Sequence, residues 1–157
     1  MKRILAVLTG VAVIGTMGVF GVTTASAASA GTLVSSLNGK CLDVTGGSTA
    51  NGNQPQLWSC TAGNANQIWT LADNGSVQGR GKCLDVANNS AADGAVVHLL
   101  DCYDAVATQK WTASGGALVN SASGKCLDVK DNATADGTKV QLWTCTGAAN
   151  QRWTVPA

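Results

Sequence analysis

The chain has 157 residues and a formal net charge of +1, and only 12% of its residues are charged. This length fits one domain. A charge close to zero, without a basic cluster, argues against nucleic acid or an anionic membrane surface as a partner. Glycine, alanine, serine, threonine and asparagine are abundant, which is typical of short strands joined by turns.

The N-terminal segment predicts export. Two basic residues precede an apolar run over 4–22, and a small-x-small site, A-S-A, ends at Ala27. This order of features is typical of a secretory signal peptide. A transmembrane anchor of about 20 residues is the alternative, but the small polar residues near the end of the run and the cleavage site favour removal. We predict a signal peptide at 1–27, with Ala30 as an alternative cleavage position, and a secreted, extracellular protein.

The remaining chain consists of three copies of one unit. The hexapeptide GKCLDV occurs three times at intervals of about 42 residues, and a glutamine-x-tryptophan motif closes each copy. Three copies that share two internal motifs are not a chance pattern. We therefore predict repeats at about 31–73, 74–115 and 116–157 within a single domain at 28–157.

Each repeat has the pattern of several short strands. Apolar and polar residues alternate in CLDV and VQLW, and N-G, D-G and G-G dipeptides mark turns. Periods of about 40 to 45 residues also suit propeller blades, but three blades would make too small a propeller. Three such units close more naturally into one barrel, which leaves few exposed strand edges. The sequence thus predicts an all-β protein, a β-trefoil with threefold pseudosymmetry.

The six cysteines follow the same repeat, with two cysteines 19 positions apart in each copy. Six cysteines permit many pairings, but a bond inside one copy should recur inside every copy, and an extracellular compartment preserves disulfides. We predict Cys41–Cys60, Cys83–Cys102 and Cys126–Cys145. Zinc is the alternative, but the sequence lacks C-x-x-C and its only histidine is His98. We predict no metal and no other cofactor.

The five tryptophans form two groups. One group occurs at the same place in every copy, which predicts threefold core packing: Trp69, Trp111 and Trp153. Trp58 and Trp143 belong to the first and third copies, two residues before a cysteine, and Leu100 takes this position in the second copy. A core position would more easily keep its size in all copies. Trp58 and Trp143 are therefore expected on the surface.

Polar residues accompany these two tryptophans in the same copies. An aspartate lies fifteen residues before each tryptophan, a glutamine lies two before it on the same strand face, and an Asn-Gln pair follows. An aromatic ring can cover the apolar C–H face of a pyranose while carboxylate and carboxamide groups bind its hydroxyls. The alternative is that these aspartates only cap turns, as aspartate near glycine often does.

In combination, C-x-D-V, Q-L-W-x-C and Q-x-W resemble the ricin B-chain type (R-type) lectin domain, a group that includes the family 13 carbohydrate-binding modules of secreted bacterial glycosidases. The resemblance extends from about Gly31 to Trp153. It implies a β-trefoil with disulfides inside each repeat and up to three shallow sugar sites. It also implies that the C-x-D aspartate, the glutamine and aromatic of Q-x-aromatic, and the Asn-Gln leading into Q-x-W hold the sugar.

Applied to this chain, the resemblance implies two complete sites and one incomplete site. Site 1 comprises Asp43, Gln56, Trp58, Asn66 and Gln67. Site 3 comprises Asp128, Gln141, Trp143, Asn150 and Gln151. Site 2 keeps Asp85 and Gln109 but carries His98, Leu100 and Thr108 in place of the glutamine, the aromatic and the asparagine. We expect site 2 to be weak or silent, and the aspartate of each GKCLDV motif to point outward and bind hydroxyls.

These features together predict a monomeric carbohydrate-binding protein for glycans or plant-type polysaccharide. Galactose, arabinose and xylan-type sugars are the ligands that the resemblance implies. We expect no enzyme, because glycoside hydrolysis usually needs two facing carboxylates and each repeat offers one aspartate to its site. A serine or cysteine nucleophile would need a base, and His98 lies in site 2. The alternative is a protein-binding β-trefoil, such as a protease inhibitor or an accessory subunit of a toxin or glycosidase.

Overall fold

The computed structural model describes residues 28–156, so the predicted signal peptide at 1–27 lies outside the described residues. Within this range the chain is all-β apart from single-turn 3-10 helices. The strands are β1 (Ser29–Gly31), β2 (Val34–Ser35), β3 (Cys41–Asp43), β4 (Gln56–Trp58), β5 (Trp69–Leu71), β6 (Val77–Gly79), β7 (Lys82–Val86), β8 (Ala95–Leu100), β9 (Trp111–Ser114), β10 (Ala117–Asn120), β11 (Cys126–Val129), β12 (Val140–Trp143) and β13 (Trp153–Thr154). The 3-10 helices are Thr45–Gly47, Ala65–Gln67, Ala87–Asn89, Ala107–Gln109, Lys130–Asn132 and Ala149–Gln151.

The strands pair antiparallel in two sheets that continue into each other. One sheet has the order β1-β5-β6-β7-β8-β12-β11-β10-β9, and the other has the order β13-β2-β3-β4. An isolated bridge between Gln56 and Lys139 joins β4 to the chain before β12, and the Leu57 amide donates to the Thr138 carbonyl at 2.7 Å. The predicted all-β trefoil with threefold pseudosymmetry is confirmed.

The GKCLDV motif forms the same hairpin in each repeat. Its Cys-Leu-Asp segment lies on β3, β7 or β11 and pairs with β4, β8 or β12. The register places the motif aspartate opposite the position of the predicted site glutamine: Asp43 faces Gln56, Asp85 faces His98 and Asp128 faces Gln141. This register assembles each site from two consecutive strands, with the facing residues 13 positions apart in sequence.

The core repeats the same contacts three times. The leucine of each GKCLDV motif is fully buried, and its carbonyl accepts a hydrogen bond from the indole Nε1 of the Q-x-W tryptophan. The three pairs are Trp69 to Leu42 at 2.9 Å, Trp111 to Leu84 at 3.0 Å and Trp153 to Leu127 at 3.1 Å. These bonds satisfy the polar end of each buried ring, and the predicted core role of the three tryptophans is confirmed.

Three disulfides lie inside the repeats, as predicted. They join Cys41 to Cys60, Cys83 to Cys102 and Cys126 to Cys145, each with a Cα–Cα distance of 5.1 Å. Each bond joins the start of the GKCLDV strand to the second residue after its partner strand. Closing a loop of this length limits the unfolded chain and contributes about 3 kcal/mol to stability.

Clamps of polar side chains connect neighbouring repeats. Asp136, in the D-G turn of the third repeat, accepts hydrogen bonds from the Ser59 amide at 2.9 Å and from Lys40 Nζ at 2.6 Å, both in the first repeat. The third repeat is held to the second in the same way, because Asp93 accepts from the Thr144 amide at 2.7 Å and from Lys125 Nζ at 2.8 Å.

In the clamp between the first and second repeats, the carboxylate does not belong to the turn residue but to the residue that faces it. Here Asn51 occupies the turn position, and its Nδ2 donates to Asp101 Oδ2 at 2.9 Å. Lys82 forms an ion pair with the same aspartate. One aspartate, one lysine and one further polar group thus recur at all three junctions.

Acid should loosen these clamps. Hydrogen bonds from Lys40 to Asp136, from Lys125 to Asp93 and from Asn51 to Asp101, with Lys82 beside it, hold the pKa of each carboxyl below its ordinary value of 3.8. A carboxyl whose pKa is lower in the folded state adds stability above its unfolded pKa and loses it as the pH falls through the folded value. We therefore expect the melting temperature to decrease when the pH is lowered beyond about 4.

The variant Asp136→Asn separates this effect from general acid unfolding. It should lower the melting temperature at pH 7, and the difference from the wild type should become smaller toward pH 3, because Asp136 loses its charge as the pH falls through its lowered pKa. Thermal melts followed by circular dichroism measure this difference. An equal difference at both pH values would show that the charge of Asp136 does not contribute.

Candidate functional site

Two pockets lie at the surface of the first and third repeats. The pocket at site 3 has a volume of about 340 Å³, and its lining includes Asp128, Gln141, Trp143, Asn150 and Gln151. All five residues predicted for site 3 therefore meet at one pocket.

The pocket at site 1 has a volume of about 230 Å³ and is lined in part by Asp43, Gln56, Trp58 and Asn66. Four of the five predicted residues meet there, while Gln67 is fully buried beneath the site. The two pockets thus lie at equivalent places in their repeats.

The two pocket tryptophans are exposed. Trp58 is 43% exposed and Trp143 is 39% exposed, whereas the Q-x-W tryptophans are buried. Both rings end a strand, β4 or β12, and stand at the pocket edge. The expectation that these two side chains lie on the surface is confirmed.

The motif aspartates differ from the expected outward orientation. Asp43, Asp85 and Asp128 are only 3% to 5% exposed. Each lies under its site, opposite a polar residue of the facing strand, and at sites 1 and 3 carboxamide groups bond to its oxygens. At site 1, Gln56 Nε2 donates to Asp43 Oδ1 at 3.2 Å and Gln67 Nε2 donates to Oδ2 at 3.2 Å.

Site 3 holds its carboxylate with one more donor than site 1. Gln141 Nε2 donates to Asp128 Oδ1 at 3.0 Å, while Asn150 Nδ2 and Gln151 Nε2 donate to Oδ2 at 2.7 Å and 2.9 Å. Burial nevertheless raises the pKa of Asp128 above its ordinary value. The three carboxamides act against this rise, and the nearby charge of Asp131 adds to it.

The glutamine of each Q-x-W motif braces the loop that follows the second cysteine. In site 1, Gln67 Oε1 accepts from the Thr61 amide at 2.9 Å and its Nε2 donates to the Ser59 carbonyl at 3.1 Å. Gln109 and Gln151 make the equivalent pair of bonds in their own repeats. These residues therefore support the fold in all three repeats, and in repeats 1 and 3 they also orient the aspartate.

Site 2, called the closed site below, lacks the exposed tryptophan, and other side chains hold its aspartate. His98 Nε2 lies 3.0 Å from Asp85 Oδ2, and Thr108 Oγ1 donates to Asp85 Oδ1 at 2.7 Å. Both carboxylate oxygens are thus engaged by residues that replace the glutamine and the asparagine of the complete sites. Leu100 occupies the position of the exposed tryptophan, opposite Cys83.

The structure adds two charged residues that the sequence analysis did not assign to a site. Asp131 lines the site 3 pocket from the Lys130–Asn132 turn, so this pocket has two carboxylates where the sequence predicted one. Lys139, in the third repeat, lies beside site 1 and donates to Gln56 Oε1 at 3.4 Å. Only the recurrence of the turn in all three repeats could have indicated Asp131.

Two classes of site are not seen in the part of the chain that the structure describes. Residues 28–156 contain no group of three histidine, cysteine, aspartate or glutamate side chains placed to bind a metal ion. None of the helices in that range has the length and apolar character needed to cross a bilayer.

The threefold all-β architecture with a pocket beside an exposed aromatic ring defines a β-trefoil of the lectin class. The family model of the ricin-type β-trefoil lectin domain matches residues 29–153. The chain therefore belongs to the ricin-type β-trefoil lectin domain family, a family of carbohydrate-binding domains.

Solved structures agree with this membership. ThreeFoil, a designed threefold symmetric protein, is 36% identical with a TM-score of 0.72, and the match covers 82% of this chain and 98% of that chain. The agglutinin from Abrus precatorius is 26% identical with a TM-score of 0.77, over 85% of this chain and 50% of that chain. An exo-β-1,3-galactanase from Clostridium thermocellum is 32% identical with a TM-score of 0.73, over 82% of this chain but 30% of that chain.

Proposed function

We propose that this protein is a secreted lectin that binds glycans or polysaccharide through sites 1 and 3 and catalyses no reaction. The observation that carries the proposal is the pairing, in two separate pockets, of an exposed tryptophan with a buried, hydrogen-bonded carboxylate. Family membership supports carbohydrate as the ligand. Three disulfides are consistent with an extracellular location.

The chemistry of each pocket matches the two faces of a pyranose. The exposed ring of Trp58 or Trp143 offers an apolar plate for the sugar's C–H face. The carboxylate below it accepts hydrogen bonds from hydroxyls, since each oxygen has two acceptor directions and the carboxamides use only part of them. Because the carboxamides hold the carboxylate in place before binding, little ordering is needed when the sugar arrives.

The sites favour binding over hydrolysis. At site 1 the carboxylate of Asp43 is the only one among the pocket-lining residues. At site 3, Asp131 adds a second carboxylate, but site 1 has Gly46 in the equivalent turn position. Only site 3 holds a pair of carboxylates. A two-carboxylate mechanism of hydrolysis therefore cannot be common to both sites.

Galactose-type sugars are the first ligands to test. The exo-β-1,3-galactanase that resembles this chain at 32% identity takes its name from a β-1,3-galactan, although the chain covers only 30% of that enzyme. Arabinose and xylan-type sugars come next, because the family resemblance also implies them.

Removing an exposed ring tests the proposal. Trp58→Ala and Trp143→Ala should each weaken sugar binding at their own site by roughly tenfold, about 1.4 kcal/mol, because stacking is lost. The melting temperature should stay nearly unchanged since both rings already face solvent. Calorimetry and thermal melting measure the two effects.

Leu100→Ala is the matched control, because Leu100 occupies the equivalent strand position in the closed repeat. It should leave sugar binding unchanged. Full sugar affinity in the double variant Trp58→Ala/Trp143→Ala would contradict the proposed sites.

A further inference from the structure

The two proposed sugar sites differ in the charge around them. Site 1 has a cation beside it, because Lys139 donates to Gln56 Oε1 at 3.4 Å, to Thr45 Oγ1 at 2.7 Å and to the Gln54 carbonyl at 3.2 Å. Within residues 28–156 Lys139 forms no ion pair with a carboxylate. Its charge therefore acts on the site without a direct counter-ion.

The position equivalent to Lys139 at site 3 is apolar. Strand pairing shows the equivalence, because Lys139 lies opposite Gln56 and Val96 lies opposite Gln141. Val96 is 40% exposed and offers neither a charge nor a donor. The carboxamide of Gln141 thus lacks the cation that contacts its counterpart at site 1.

A second difference also makes the surroundings of site 3 more negative than those of site 1. The turn that borders each pocket is Thr45–Gly47 at site 1 and Lys130–Asn132 at site 3, and the lining residue in its middle is Gly46 at site 1 and Asp131 at site 3. Asp131 has a φ of 58°, a left-handed conformation that favours glycine. Lys130 is exposed, so solvent and salt screen its charge more strongly than that of the partly buried Lys139.

Charged groups near each pocket contribute to the pKa shifts of Lys139 and Asp128. Burial lowers the pKa of Lys139, and the carboxylate of Asp43 acts against this decrease. At site 3 the charge of Asp131 contributes to the raised pKa of Asp128. Both couplings place the extra charge within electrostatic reach of the site carboxylate.

We propose that site 1 accepts an anionic sugar, such as a uronic acid, and that site 3 discriminates against it, with Lys139 and Asp131 as the specificity-determining residues. The inference rests on the proposed function. The three N–H groups of Lys139 are all engaged by protein oxygens, so it acts through its field and not by contact with the sugar. Asp131 repels a sugar carboxylate across an open pocket. Each effect should amount to a few-fold change in affinity at low salt and decrease at high salt.

The experiment must follow each site separately. Protein labelled with 5-fluorotryptophan gives fluorine resonances for Trp58 and Trp143, which single Trp→Phe variants assign. Titration with galactose and with galacturonate at neutral pH then gives one affinity for each sugar at each site. We expect the ratio of galacturonate to galactose affinity to be higher at Trp58 than at Trp143.

Two matched variants test the named residues. Lys139→Val introduces the residue found beside site 3 and should lower the galacturonate affinity at Trp58 by about threefold to fivefold at low salt, with galactose affinity and the Trp143 response nearly unchanged. Asp131→Gly introduces the residue found at site 1 and should raise the galacturonate affinity at Trp143 by a similar factor. Glycine suits the left-handed backbone there, so this variant adds no strain.

The possible failures can be told apart. Equal affinity ratios at the two sites would overturn the inference. So would an equal loss of both sugars at Trp58 in Lys139→Val, or an effect that salt does not reduce, because either result would assign Lys139 a purely structural role. A protein in which neither resonance responds to either sugar would contradict the proposed function itself, and the inference with it.

Discussion

Replacing Trp111 by alanine should lower the free energy of unfolding by about 3–5 kcal/mol. The ring is 5% exposed and belongs to the central hydrophobic cluster. Its Nε1 donates to the Leu84 carbonyl at 3.0 Å. Truncation would leave a cavity the size of an indole and a buried carbonyl without its donor. Denaturation in urea, followed by circular dichroism, measures the loss.

Trp111 is the informative choice among the three core tryptophans because its repeat carries the closed site. Any molecules of the variant that remain folded should bind sugar as the wild type does. Trp143→Ala is the control, since that ring is exposed and its loss should change the unfolding free energy little. A loss below about 1 kcal/mol for Trp111→Ala would contradict the core position of this ring.

Polysaccharide binding should weaken by about tenfold when either exposed tryptophan is replaced by alanine, because the affinity of one site decreases tenfold and the avidity decreases by the same factor. A shallow site that stacks one ring and makes a few hydrogen bonds in water should bind a monosaccharide with an affinity near millimolar, about −4 kcal/mol. Two such sites on one rigid domain raise the effective concentration for a polymer that repeats the sugar. Only complete loss of one site would return binding of the polymer to the single-site value, a decrease of about 100-fold.

Affinity electrophoresis or a solid-phase assay with a galactose-rich polysaccharide measures this change. Trp58→Ala and Trp143→Ala are better probes than substitution of Asp43 or Asp128, because each buried aspartate accepts bonds from at least two carboxamides and its loss would also disturb the fold. His98→Ala, in the closed repeat, should leave polymer binding unchanged. Wild-type affinity for the polymer in either tryptophan variant would show that the two sites do not act together.

Much of the fold was predictable because the sequence repeats. A residue that recurs three times at one place in a unit belongs to what the units share, so the Q-x-W tryptophans were assignable to the core and the cysteines to disulfides within each repeat. The departure from the pattern was equally informative. Leu100 replaces an aromatic in the second copy, and the structure shows Asp85 there engaged by His98 and Thr108.

Features that depend on contacts between repeats were not predictable. Asp136 reads as an ordinary D-G turn residue, yet it binds Ser59 and Lys40 of the first repeat. Lys139 reads as a strand residue of the third repeat, yet it contacts Gln56. Sequence spacing says nothing about such pairs, because their register is set by the way the barrel closes.

The burial of the motif aspartates was also missed. Alternation along CLDV places the aspartate on the face opposite its apolar neighbours, which suggests exposure. In the structure, donors from the facing strand and from the 3-10 helix before the Q-x-W tryptophan cover it, as Gln56 and Gln67 do for Asp43. Close packing also accounts for the glycine at position 79, because an added Cβ there would lie 2.7 Å from the ring of Trp69.

The most direct test of the two-site account is a galactose titration of isotope-labelled protein followed by backbone amide resonances. We expect saturable shifts around Gln56–Trp58 in the first repeat and around the equivalent end of β12 in the third, with no shift at the His98 to Leu100 positions of the second. Saturable shifts in the second repeat, or their absence from the first and third, would contradict the account.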